Sequence, residues 1–189
     1  MDLSRFPRAS LTQLPTPIEP LPRLSAHLGG PRLYVKRDDL TGLGLGGNKL
    51  RKLEFLLGEA RAQGADTVLT VGAMQSNHAR QTAAACARLG FDCELILRRG
   101  SHATDAYLNG GNVLLDRLFG AQIHVLEAHE SREARMAARA ESLRGEGRRP
   151  YCIPVGGSCG LGNLGYGVCA EEILLQGAAA DVSYTAFIV

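Results

Sequence analysis

No apolar run in the sequence approaches the ~20 residues that a membrane-crossing helix requires. The longest are short strand-like pieces such as Thr67 to Val71. The opening segment, Met1 to Arg8, mixes charge and proline and has no apolar signal core, so the chain reads as cytoplasmic. Excess charge is also lacking: the formal net charge is +2, too small to mark a nucleic-acid or membrane surface. The five cysteines are an odd number and form no C-x-x-C pair, which points away from a disulfide framework or a zinc site and toward free, mostly buried thiols. No metal ligand set is indicated. Lysine is scarce as well; only Lys36, Lys49 and Lys52 are present, so any chemistry that needs a lysine has three candidates.

What is present is an ordinary globular composition, 45% hydrophobic and 21% charged over 189 residues, enough for one domain or one and a half. Residues 1–32 are rich in proline and read as an irregular arm with one short helix, Leu21 to Leu28. Arg32 to Lys36 reads as a short strand, followed by the glycine-rich loop Thr41 to Gly47. From there strands and helices alternate. Helices are expected over Lys49 to Gln63, Asn77 to Leu89, Gly111 to Leu118, Glu130 to Leu143 and Asn163 to Gln176. Strands are expected over Thr67 to Val71, Cys93 to Leu97, Gln122 to Leu126, Tyr151 to Pro154 and Val182 to Val189. That alternation predicts an α/β fold with parallel strands and helices on both faces.

In such sheets, ligands sit beyond the carboxyl ends of the strands. Three loops carry suitable residues. In Gly46-Gly47-Asn48-Lys49, Asn48 can cap the helix that follows. Lys49 lies near the positive end of that helix dipole, which favours the neutral, nucleophilic amine. An ordinary exposed lysine after a glycine turn fits the same residues. Lys52 reads as a solvated helix residue, and Lys36 as a structural partner of the neighbouring Asp38 and Asp39. In the loop Gly72 to His78, backbone N–H groups at a helix start can hold an anion such as a carboxylate. There Ser76 and Asn77 serve a ligand or only cap the helix, and His78 is a general base or a surface hydrogen-bonding group. The third loop, Gly156 to Gly162, contains Gly157 and Ser158 and fits either close ligand contact or a tight turn; no Gly-Lys-Ser/Thr follows to make it a P-loop.

Gly46-Gly47-Asn48-Lys49-Leu50-Arg51-Lys52 and Gln75-Ser76-Asn77-His78 together resemble the D-cysteine desulfhydrase and 1-aminocyclopropane-1-carboxylate (ACC) deaminase group of fold-type II, tryptophan-synthase-β-like, pyridoxal-phosphate enzymes. Arg5-Phe6-Pro7, Pro15-Thr16-Pro17, Lys36-Arg37-Asp38-Asp39 and Pro154-Val155-Gly156-Gly157-Ser158 match in order, so the resemblance runs from about residue 4 to the end. It implies pyridoxal 5'-phosphate as cofactor, with Lys49 as its Schiff-base lysine and as the base at the substrate Cα. It implies Asn77 against the cofactor ring hydroxyl, Asn48 in its surroundings, and Ser76, Asn77 and His78 on the substrate carboxylate or in proton transfer, Ser76 being a catalytic candidate. Gly157 and Ser158 would face the substrate.

The resemblance further implies two domains: residues 50–165 as the small α/β domain, 1–49 as the N-terminal part of the large pyridoxal-phosphate domain, and 166–189 as the start of its remainder. Gln-Ser-Asn-His and Pro-Val-Gly-Gly-Ser look more like D-cysteine desulfhydrases than ACC deaminases, and do not separate the former from L-cysteate sulfo-lyases. The implied reaction is an α,β-elimination on a small amino acid, D-cysteine giving pyruvate, hydrogen sulfide and ammonia. The family continues past this point with a phosphate-binding loop, a partner for the pyridine nitrogen and tyrosines near the substrate. The 189 residues contain none of these and stop inside an apolar segment, so a truncated piece of a homodimeric full-length parent is expected. An inactive fragment and a Rossmann-like nucleotide-binding module are the other readings.

Overall fold

The computed structural model describes residues 2–100 and 104–188. Its centre is a parallel four-stranded sheet in the order β5-β4-β3-β6, formed by β3 (Thr67–Ala73), β4 (Asp92–Arg98), β5 (Gln122–Leu126) and β6 (Pro150–Ile153). In β3, Val68 and Leu69 point to opposite faces, yet both are fully buried. A strand covered on both sides reads as a continuous apolar run, which is why Thr67 to Val71 shows no alternation. On one face Val68, Leu95, Leu97 and Ile153 pack against helices α2 (Leu50–Ala62), α3 (Asn77–Leu89) and α5 (Gly111–Leu118). On the other, Leu69, Val71, Ile96 and Leu126 pack against Ala140 and Leu143 of α6 (Arg132–Gly145). The α/β expectation therefore holds.

α3 has the bounds its sequence predicts because both ends are built locally. The Ser76 hydroxyl accepts the Ala79 N–H at 3.2 Å, and Gly90, left-handed at φ 79°, returns its N–H to Cys86. α2 has no such local cap. The side-chain oxygen of Gln81, one helix away, accepts the N–H groups of Lys49 and Leu50, each at 3.1 Å. The expected cap by Asn48 is thus replaced by a tertiary one.

The N-terminal arm is ordered by its contacts. β1 (Ile18–Pro20) pairs antiparallel with β2 (Tyr34–Lys36), and α1 (Pro22–Leu28) lies between them in sequence. Buried Glu54 of α2 accepts hydrogen bonds from Leu11, Thr12 and Arg8. α7 (Gly160–Ala179) crosses α2 closely, since a Cβ at Gly165 would stand 2.1 Å from the Arg51 carbonyl oxygen. α7 begins three residues before the expected start and passes through position 165 without interruption. A short helix, α4 (Asp105–Asn109), was not foreseen.

The expected strand Val182 to Val189 is not formed over 182–188; Val189 lies outside the described residues. Val182 N–H instead closes the end of α7 on Gly177 O at 2.9 Å, and Tyr184 packs edge-on against Tyr34. An apolar segment becomes a strand only where a sheet edge is available to pair with it. All five cysteines are free, and Cys86, Cys93 and Cys169 are buried.

Candidate active site

β3 and β6 are neighbours in the sheet, so the loops that leave their carboxyl ends adjoin. One runs into α3 and the other into α7, and the start of α2 completes the group. The sequence-predicted residues converge here. Asn77 donates from its side-chain amide to Asn48 Oδ1 at 3.2 Å, and Asn48 donates in turn to the Tyr166 hydroxyl at 2.8 Å. Lys49 is half-buried, and its amine has no hydrogen-bond or ion-pair partner among the described residues. Its Cε lies 3.7 Å from where a Cβ on Gly156 would be; φ at Gly156 is 63°, so a glycine there both permits the turn and leaves room beside the lysine. Ser158 is exposed, and its hydroxyl accepts from Lys52 Nζ at 2.9 Å.

Three expectations need correction. Lys52 is not solvated: it is 7% exposed, its ammonium lies 5.5 Å from the Tyr166 ring centre, and burial, together with the charge of Lys49, lowers its pKa. It shares a helix face with Lys49, three residues earlier, a spacing that could have revealed it. Lys36 is structural, but its partners are Glu172 at 2.8 Å, the Thr16 carbonyl and Gln176 rather than Asp38 and Asp39. His78 is no surface group, being 2% exposed.

The state of His78 follows from its neighbours. The Thr70 hydroxyl has one proton, which it gives to Ile153 O at 3.0 Å. At its 2.9 Å contact with the imidazole, Thr70 therefore accepts, which places the ring proton on Nε2. Nδ1 is left as a buried acceptor without a partner among the described residues. Burial, with the charges of Lys49 and Lys52, pushes the pKa down to about 3, so the ring is neutral. What His78 offers a ligand at the helix start is its backbone N–H. That N–H and the one of Asn77 have no acceptor among the described residues, the arrangement that binds carboxylates.

These groups fit a carbonyl-bearing aromatic cofactor and an amino-acid substrate. An unpaired amine, two joined amides, a phenol, a second amine and two free N–H groups gather near the starts of α2, α3 and α7, and His78 adds a buried acceptor, Nδ1. The nucleotide reading fares worse. Gly-x-Gly-x-x-Gly spacing does occur, at Gly42 to Gly47 and Gly160 to Gly165. Gly162 and Gly165, however, lie inside α7, where a Cβ would strike the backbone of Gly157 and of Arg51; they serve helix packing. The first run follows no strand of the parallel sheet.

Tyr166 and Gln81 were missed. Both act across the fold, 118 and 32 residues from their partners, and nothing local marks them.

Comparison with known proteins agrees. Residues 9–189 match the family described as pyridoxal-phosphate dependent enzyme. The chain is 48% identical over 188 residues to a D-cysteine desulfhydrase of Serratia proteamaculans, covering 99% of this chain and 57% of that one. It is 50% identical over 175 residues to a D-cysteine desulfhydrase of Salmonella typhi, covering 92% and 53%. The crystal structure of an ACC deaminase homologue superposes with a TM-score of 0.84 at 47% identity, covering 92% of this chain and 52% of the other. A pyridoxal 5'-phosphate-dependent aspartate racemase shares the fold at a TM-score of 0.61 and 22% identity, over 86% of this chain and 46% of that one. The chain spans about half the length of the curated relatives it matches.

Proposed function

Because the chain belongs to the pyridoxal-phosphate-dependent enzyme family, we propose that it carries the lysine-bearing part of a carbon–sulfur lyase site that converts D-cysteine and water to pyruvate, hydrogen sulfide and ammonia. The observation that carries this reading is the gathering of unpaired Lys49, the Asn77–Asn48–Tyr166 relay and the free N–H groups of Asn77 and His78 near the starts of α2 and α3. The relatives named as D-cysteine desulfhydrases support the substrate.

Each residue has a role its surroundings support. Lys49 would hold the cofactor through its unpaired amine, and that amine would serve as the base at the substrate Cα. Asn77, oriented by Asn48 and Tyr166, would meet the cofactor's ring hydroxyl. Ser76 and the N–H groups of Asn77 and His78 receive the substrate carboxylate, with the helix dipole favouring its charge. Gly156 lies beside Lys49, and Gly157 and Ser158, next to it and bonded through Ser158 to Lys52, would face the substrate. Bound pyridoxal phosphate supplies an electron sink for the charge left when the Cα proton departs.

Residues 50–165 form the small domain in this reading, with 1–49 and 166–189 in the large one. A homodimeric, cytoplasmic enzyme is part of the same proposal, carried by the family resemblance; light scattering of the purified protein tests the dimer.

The deciding experiment mixes the purified chain with pyridoxal phosphate, reduces with borohydride and locates the label by mass spectrometry. A label confined to Lys49 is expected, and one on Lys36 or Lys52 instead would sink the assignment. Assays with D-cysteine, L-cysteate and ACC then set the substrate, L-cysteate and ACC being the other substrates of this group. A Lys49 label without turnover of any of the three gives the second reading, a chain that binds cofactor without catalysing.

A further inference from the structure

The loop that delivers Lys49 is held in an unfavourable shape. Gly44, Leu45, Gly46 and Gly47 have φ of 60°, 66°, 69° and 132°. Three are glycines, and a Cβ at Gly46 would fall 1.9 Å from the Asp39 carbonyl oxygen. Leu45 is not a glycine, and its side chain is exposed, so no packing of its own repays the left-handed backbone. Such conformations persist only where the surroundings impose them.

The imposing group is Arg80 of α3, which donates to the carbonyl of Gly44 and, through both terminal nitrogens, to that of Gly46 at 3.0 and 3.1 Å. Its remaining nitrogen, Nε, is buried without a partner among the described residues. So are both carboxylate oxygens of Asp116 on α5, a residue with no exposed surface. Three orphaned polar atoms of opposite charge on two helices packed together, with no ion pair yet joining them, call for one another through a buried water.

We propose that Arg80 and Asp116 are a positioning pair for the glycine loop: Arg80 pins the carbonyls of Gly44 and Gly46, and Asp116 is the counter-charge that keeps its guanidinium in place. Burial weighs against both charges, lowering the pKa of Arg80 and pushing that of Asp116 up to about 7, and their mutual attraction opposes it. The charges acting on Asp116 are Arg80 from α3 and Arg117 from its own helix; α4 and β5, also packed on α5, contribute none. The inference deepens the reading of Lys49 as the cofactor lysine, but its primary test does not depend on that reading.

Hydrogen exchange of the chain without cofactor reads the loop directly, because the N–H groups of Gly46, Gly47 and Lys49 are bonded to Leu43 O, Thr41 Oγ1 and Gln81 Oε1. Asp116→Asn, isosteric and uncharged, is expected to speed exchange at these three at least tenfold while β3 and α6 stay as in the wild type. Arg80→Met does the same, and the double variant exchanges no faster than Arg80→Met alone. The wild type needs no variant: its loop exchange, corrected for intrinsic rates, rises as pH falls from 8 to 6, and this step is absent from Asp116→Asn. Unchanged loop exchange in Asp116→Asn, acceleration spread evenly over the chain, or a wild type without the step overturns the pair. Borohydride trapping of pyridoxal phosphate at Lys49 should also slow about tenfold in both variants. A wild type that takes no label defeats the functional reading and leaves the exchange result standing.

Discussion

α2 and α6 are of nearly equal length, each begins near a glycine- or serine-containing turn, and each carries charges throughout. They end in opposite places. In α2 ten residues are buried, among them Arg51, Lys52 and Glu54; in α6 only Ala140 and Leu143 are. The charges of α2 survive burial because each has a designated partner. Arg51 binds Asp38 at 2.7 Å and Glu172 at 2.9 Å and also reaches Thr16. Burial raises the pKa of Glu172, but the hydrogen bonds from Arg51 and Lys36 outweigh that and hold it low. Most charges of α6 face water, Arg139 on buried Glu94 being an exception; Arg144 and Glu141 pair at 2.9 Å with both side chains more than half exposed. A buried charge is informative about a fold because it cannot exist without its partners, whereas a solvated one is compatible with nearly any neighbour.

The contrast can be broken most forcefully at Arg51. Arg51→Met strands Asp38 and Glu172 in the interior and should cost about 3–5 kcal/mol in urea unfolding, enough to unfold a marginal chain. Leu53→Ala, at a fully buried position of the same helix, should cost about 2–4 kcal/mol. His78 tests the charge environment that α2 imposes on its neighbour. Its folded pKa is depressed to about 3, against about 6.5 unfolded, so the unfolded chain takes up a proton the fold refuses. The contribution of His78 is therefore whole above pH ~6.5 and is lost as pH drops toward 3, at up to about 1.4 kcal/mol per pH unit. In urea melts between pH 6.5 and 5, where protonation of Asp116 in the fold acts in the opposite direction, the stability difference between wild type and His78→Gln should change with that slope. On α6, Arg144→Ala should stay within about 0.5 kcal/mol of the wild type in the same melts; a loss comparable to that of Arg51→Met would erase the distinction between the two helices.

The same contrast explains what was legible in the sequence. α3 could be read to the residue because Ser76 and Gly90 mark its ends within the chain itself. The period of α2 was readable from Leu50, Leu53 and Leu57; the spacing of Lys52 from Lys49 marked only a shared face, and the partners that bury it, Ser158 and Tyr166, are remote in sequence. The gathering of Asn48, Asn77, Gly157 and Ser158 was anticipated from motifs; the agents that orient them, Tyr166 and Gln81, lie at distances no local pattern encodes. β1 escaped notice because a three-residue strand ending in proline has no period to detect. The apolar end of the chain was over-read for the converse reason: composition alone does not supply a pairing edge.

The hydrogen bond between Asn48 and Tyr166 closes a loop of 118 residues. A ribosome adding 5–20 residues per second delivers Tyr166 roughly 6–24 s after Asn48. For that interval the nascent chain has Asn48 and Lys52 without Tyr166, and Arg51 without Glu172. The order of synthesis thus makes α7 the element whose arrival covers Lys52 with the Tyr166 ring, and stalling translation before codon 166 should leave Lys52 more open to amine-reactive reagents than it is in the completed chain.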